Sequence, residues 1–147
     1  MSAELVVLCG LAGSGKSTWR REHLAATHVV VSKDLMRSRS GKEARQQREI
    51  RAALGAGRAV VVDNTNLTRE VRAALLALAR EFGVPARAVV VHVPVELALE
   101  RNAQREGPAR VPDGIVRQMA ALWEEPVVDE GFDSVEFVEQ EPAVEVM

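Results

Sequence analysis

"ELVVLCGLAGSGKSTWRREHL", residues 4–24, decides the fold. Residues 4–9 are an apolar run without polar alternation, the pattern of a strand covered on both faces. Gly10, Gly15, Lys16 and Ser17 then fit G-x-x-x-x-G-K-[ST], and a helix over 16–26 is expected to open at once. The spacing has a physical reason. Glycines allow the backbone N–H groups of Gly10, Gly13, Ser14 and Gly15 to curl around phosphate oxygens, and the helix directs its positive end at them. Lys16 can reach the β- and γ-phosphates, the Ser17 hydroxyl can ligate Mg²⁺, and Thr18 stands beside them. The stretch reads as a site for a nucleoside triphosphate, ATP or another.

Outward from it, strand and helix alternate. Valine-rich strands are expected at 28–32, 58–63 and 86–93, with a final strand at 134–139. Helical segments are expected from about Leu35 to Leu54 with a break near Ser40-Gly41, over 68–82, from Pro94-Val95 to about Glu106, and over 112–125. Thr68 is placed to cap the third of these helices counted from Lys16, and Gly83 to end it. Continuous valine runs separated by helices imply a doubly wound parallel sheet of about five strands, with helices on both faces. "REGPARVP" (105–112) is the least regular internal stretch. The 147 residues are one domain's worth.

Composition narrows the setting. No segment approaches the ~18 apolar residues of a membrane span, and no signal-peptide pattern precedes Glu4. The single cysteine, Cys9, cannot form an internal disulfide and reads as a core residue, so a reducing cytoplasm is expected. The net charge of −2 hides an asymmetry: all 19 Lys and Arg lie at or before Arg117, and nine of the 21 acids lie beyond it. Between Lys33 and Arg51 seven cations meet three acids, which suits either solvated helix faces or a positive groove for a polyanion.

A phosphate loop alone leaves several chemistries open. The base-reading N-K-x-D of GTPases does not occur, and motor ATPases use larger chains, which leaves a small kinase. Open parallel sheets bind ligands at the carboxyl ends of their strands, where Asp34 and Asp63 fall. A carboxylate at Asp34 can accept a proton from an attacking hydroxyl, and Arg37, one helical turn on, can hold an acceptor's phosphate. The structural alternative makes Asp34 an N-cap. Asp63 is expected to hold Mg²⁺ through water, or else to bond to the loop. Arg101 and Arg105 are expected on one helical face of a lid spanning approximately 95–117, there to neutralise charge on the transferred group; surface pairing with Glu100 or Glu106 is the alternative.

"GLAGSGKS", "SKDLMR", "DNTNL" and "RNAQR…RVP" together resemble the kinase domain of polynucleotide 5′-kinases of the bacteriophage and bacterial end-healing type, from about Leu5 to Phe137. The resemblance implies a single-domain P-loop kinase fold with a helical lid. It implies Asp34 as general base on a 5′-hydroxyl and Arg37 as holder of the acceptor phosphate. Thr65 would lie near that phosphate, Arg105 and Arg101 near the donor phosphates, and Val111-Pro112 beside the acceptor nucleoside. Two details depart from the phage pattern: Asn64, not an acid, directly precedes the T-N pair, and the stretch from Arg105 to Val111 is about one residue longer. Phosphatase and ligase steps of end repair are expected from other chains.

Aromatic residues make up only 3% of the chain, and Trp19 and Trp123 read as core. Acceptor recognition is therefore expected to rest on phosphate and sugar, with little sequence preference. The reading is Mg²⁺-dependent transfer of the γ-phosphate of ATP to a 5′-hydroxyl of DNA or RNA. Transfer to a nucleoside, sugar or antibiotic hydroxyl, or nucleotide binding without transfer, are its alternatives.

Overall fold

A computed structural model describes residues 3–36 and 40–138. Five strands form one parallel sheet: β1 (Leu5–Cys9), β2 (Val29–Val31), β3 (Val60–Asp63), β4 (Ala86–Val91) and β5 (Ser134–Val138), in the spatial order β2-β3-β1-β4-β5. The helices are α1 (Lys16–His23), α2 (Lys42–Gly55), α3 (Arg69–Phe82), α4 (Val95–Ala103) and α5 (Asp113–Leu122). Short 3₁₀ turns occupy Lys33–Leu35, Gly107–Ala109 and Val128–Glu130. Among the described residues no helix is long and apolar enough to cross a membrane.

The strand period of two sorts the valine runs into two cores. Leu5, Val7 and Cys9 face α2 and α3, packing with Ile50, Leu54, Leu75 and Leu76. Val6 and Leu8 face α1 and meet Trp19, Leu24, Val61 and Val89. β1 is wholly buried because it sits mid-sheet with helices above and below. Burial of each such side chain contributes about 1.5–3 kcal/mol. The edge strand β5 differs: Phe137 is exposed, and Glu136 on its outer side pairs with Arg87 of β4. Charge at an open edge discourages pairing with other chains.

The expected helix signals act where they were read. The Thr68 hydroxyl accepts from Val71 N–H, and Gly83 ends α3 in the left-handed region. The break before α2 falls at Gly41, also left-handed at φ 71°. Three helices are shorter than expected, among them α5, which ends at Leu122 instead of 125. α1 stops at His23, where Leu24 turns into the core. α4 stops at Ala103, so Arg105 lies beyond the helix instead of on its face. The physical reason is Asn102, whose side chain is buried and pairs with the backbone of Val111, drawing the chain into a tight return.

The lid helices are not a detached flap. Ala98, Leu99 and Val116 pack with Ala12 of the glycine loop and Val93 beyond β4. This third cluster seats α4 and α5 over the carboxyl end of the sheet.

Candidate active site

The glycine loop closes between β1 and α1. Gly13 and Gly15 adopt φ 84° and 97°, which side-chain-bearing residues rarely do. A Cβ at Gly13 would lie 2.3 Å from the Ala98 carbonyl oxygen, so glycine there also permits α4 to cross the loop. Gly10 donates its N–H to the Thr65 carbonyl at 3.0 Å, which ties the loop's entrance to the turn after β3. α1 carries no acid in its own first turn, so its positive end is open to a bound anion beside the Asp63 carboxylate of β3. The Ser14 hydroxyl is buried without a hydrogen-bond partner among the described residues, as expected of a cradle shaped for a polar ligand. Thr18 is half-buried on the first turn of α1.

Lys16 lies across the loop, donating to the Leu11 carbonyl at 3.4 Å. Burial pulls its pKa below the usual lysine value; Asp63 and Asp34 resist that shift, and Arg105 adds to it. Ser17 Oγ donates to Asp63 Oδ2 at 2.9 Å, and Arg20 Nε donates to the same oxygen at 2.8 Å. The two residues expected to serve a metal are thus adjacent. Asp63 also bonds to the loop region, as its alternative reading anticipated.

Asp34 sits in the 3₁₀ turn after β2, exposed to solvent. It is not an N-cap: Ser32 caps that turn by accepting from Asp34 N–H, and α2 starts later, behind Gly41. Among the described residues its carboxylate has no hydrogen-bond or ion-pair partner. Arg37 lies outside the described residues. The cationic stretch contains the ion pairs Lys33–Glu43, Arg45–Glu49 and Arg51–Glu81, as solvated faces would.

The lid residues divide. Arg101 is half-buried and donates to the Ser14 carbonyl at 2.9 Å, gripping the loop. Arg105 is exposed and reaches the Ala109 carbonyl at 3.5 Å, with no ion pair among the described residues. Asn102 holds Val111 by a two-way backbone pair, which places exposed Pro112 as the N-cap of α5. The side chain of Thr65 is half-buried and engages no described residue.

Sequence reasoning missed two networks. Asn64 accepts from Lys33 N–H at 3.0 Å and donates to Gln46 at 2.7 Å, fastening the Asp34 turn to β3 and α2. Its position at the departure from the phage pattern was the one available signal. The second network is deeper. Arg72, fully buried, makes a two-point pair with Glu130 at 2.9 and 3.0 Å and donates to the Asn66 carbonyl at 2.9 Å. Asn66 itself has φ 47° and donates to the Leu8 carbonyl at the end of β1. The turn carrying Thr65 is thereby locked from below.

Comparison with known proteins agrees with this geometry. The bifunctional polynucleotide phosphatase/kinase of Schizosaccharomyces pombe is 32% identical over 92% of this chain and 33% of its own length. The chain thus spans about one third of that relative. Among solved structures, a fungal RNA kinase superposes with a TM-score of 0.69 at 14% identity, covering 98% of this chain and 78% of that one. A sugar kinase from Janibacter sp. HTCC2649 gives 0.67 at 19% identity, over 95% and 86% of the two chains. The resemblance read in the motifs is borne out by the sequence relative, and the neighbours bear out the P-loop kinase fold. Residues 5–126 match the family described as AAA domain, and the chain belongs to that family.

Proposed function

We propose that this chain is a polynucleotide 5′-hydroxyl kinase, transferring the γ-phosphate of ATP to a 5′-OH end of DNA or RNA. The observation that carries the reading is the glycine loop with its left-handed Gly13 and Gly15, closed against the Ser17–Asp63 pair at the end of β3. Similarity to a polynucleotide phosphatase/kinase supports the acceptor class. The loop N–H groups and Lys16 hold the donor phosphates. Asp34, whose carboxylate has no hydrogen-bond or ion-pair partner among the described residues, takes the proton of the acceptor hydroxyl. That oxygen forms a bond to the γ-phosphorus while the β,γ-bridging bond breaks in line, and ADP leaves. Arg105 neutralises charge on the phosphoryl oxygens, and Arg37 and Thr65 hold an acceptor phosphate.

The hydroxyl of Ser17 and the carboxylate of Asp63 are hard oxygen donors of the kind Mg²⁺ takes alongside substrate phosphates. They would hold the ion, which neutralises charge at the β- and γ-oxygens when bound. Likeness in fold to a sugar kinase favours a second reading, transfer to a small alcohol. Radiolabelled ATP, offered 5′-OH DNA and RNA oligonucleotides beside a panel of nucleosides and sugars, separates the two. Label at an oligonucleotide end is the expected result. Label only on a small alcohol overturns the proposal, and ATP binding without any transfer overturns both.

A further inference from the structure

Trp123 was expected in the core, yet it is only half-buried and forms one wall of a cavity of about 200 Å³ beside the glycine loop. Gly10 and Leu11 form the loop side, Val93 the floor at the end of β4, Ala120 the α5 side, and exposed His92 the rim. The lining is mostly apolar. Sites that bury a drug-sized ligand measure about 300–1,000 Å³, so this one suits a single ring system. Among the described residues nothing accepts from the Trp123 indole N–H. A flat face next to an unpaired donor matches a heterocycle with acceptor atoms at its edge.

Two nucleobases come within range of the loop, the donor's and the acceptor's. The wall decides between them. Glu124, next to Trp123, donates its N–H to the Leu67 carbonyl at 2.8 Å, and its carboxylate accepts from Arg69 N–H at 3.3 Å. These bonds tie the backbone that follows Trp123 to the segment between β3 and α3, which also carries Thr65. Val111 and Pro112 lead directly into α5, which ends at this wall. Trp123 packs with the core under α2 and α3, whereas α1, whose end faces the donor phosphates, lies on the opposite side of the sheet. In-line transfer places the remainder of the donor opposite the acceptor.

We propose that this cavity receives the base at the 5′ end of the acceptor, stacked on Trp123. The inference rests on the polynucleotide reading above. Stacking accepts every base, so it adds affinity without sequence preference. It amends the expectation that recognition rests on phosphate and sugar alone.

The test compares two 5′-OH oligonucleotides that differ only in the presence of the 5′-terminal base. With the unaltered protein, the abasic acceptor is expected to show a KM about 5- to 100-fold higher, the range of one base–aromatic stack. Trp123→Ala should raise the KM of the intact acceptor by a similar factor, abolish the difference between the two, and leave the KM of ATP unchanged. Trp123→Phe should retain most of the difference. Equal KM values for the two acceptors with the unaltered protein overturn this inference alone. So does a Trp123→Ala effect confined to ATP, which would assign the cavity to the donor base. Failure to phosphorylate any oligonucleotide removes the polynucleotide reading, and the inference with it.

Discussion

Asp63 and Asp34 end neighbouring stretches of the same sheet, and the protein treats them oppositely. Asp63 is 4% exposed and receives two donors, Ser17 and Arg20, on one oxygen. Asp34 stands in solvent on a turn that the Ser32 and Asn64 side chains hold by its backbone N–H groups. On the proposed reading, the half that holds the phosphates is assembled in advance and the half that takes the acceptor is left open.

The largest expected effect tests that contrast directly. Asp34→Asn should lower kcat by ~10²-fold or more while leaving ATP affinity and thermal stability as they were, measured by single-turnover transfer and nucleotide titration. Unchanged turnover would erase the distinction between the two acids.

Next comes the support beneath the phosphate half. Glu130→Ala leaves Arg72 buried and unpaired, and should cost about 3–5 kcal/mol of stability in denaturant unfolding. The same pair sets an acid limit. Burial raises the Glu130 carboxyl, but the Arg72 hydrogen bonds and charge and the Val127 N–H outweigh it, leaving its pKa below the ordinary 4.5. A lowered carboxyl stabilises the fold above its unfolded value and loses that contribution as pH falls through the folded one. Unfolding below about pH 4.5 should therefore be steep, and Glu130→Gln should flatten it.

Asn64→Ala sharpens the comparison from the acceptor side. It removes the bonds to Lys33 N–H and Gln46 that aim the Asp34 turn, and about 5- to 30-fold in kcat is expected to go with them, since each such bond contributes ~1 kcal/mol. The KM of ATP should not move; an equal loss in both would make Asn64 a general stabiliser. The smallest effect concerns Cys9. Burial pushes its thiol up to about 12, so alkylation at neutral pH should be negligible until denaturant opens the sheet, as mass spectrometry of labelled protein would record.

Local signals carried much of the architecture. The loop motif, the valine runs, Thr68 and Gly83 each act within a few residues, so their structural consequences are written in short stretches. What stayed illegible is pairing across distance. Gln46 meets Asn64 across 18 positions, and Arg72 meets Glu130 across 58. In sequence Arg72 looks like any cation on an amphipathic helix; only tertiary packing buries it. Arg105 was assigned to the helix because its spacing from Arg101 fits one face, a rule blind to the Asn102 side chain that ends α4 early. Trp123 was read as core from residue type, which could not distinguish a residue inside the core from one that walls a cavity.

The crossing of α4 over the glycine loop has a mechanical consequence. With the Ala98 carbonyl oxygen where a Gly13 methyl would stand, and Arg101 bonded to the Ser14 carbonyl, the root of the lid shares the loop's own rigidity. A swing of the whole helix would strip the phosphate cradle along with it. Travel is left to the short return after Asn102, where Gly107 is left-handed at φ 61° and a Cβ would meet nothing. Any opening for a nucleotide would then turn on a hinge of a few residues and not on the helix that crosses the loop.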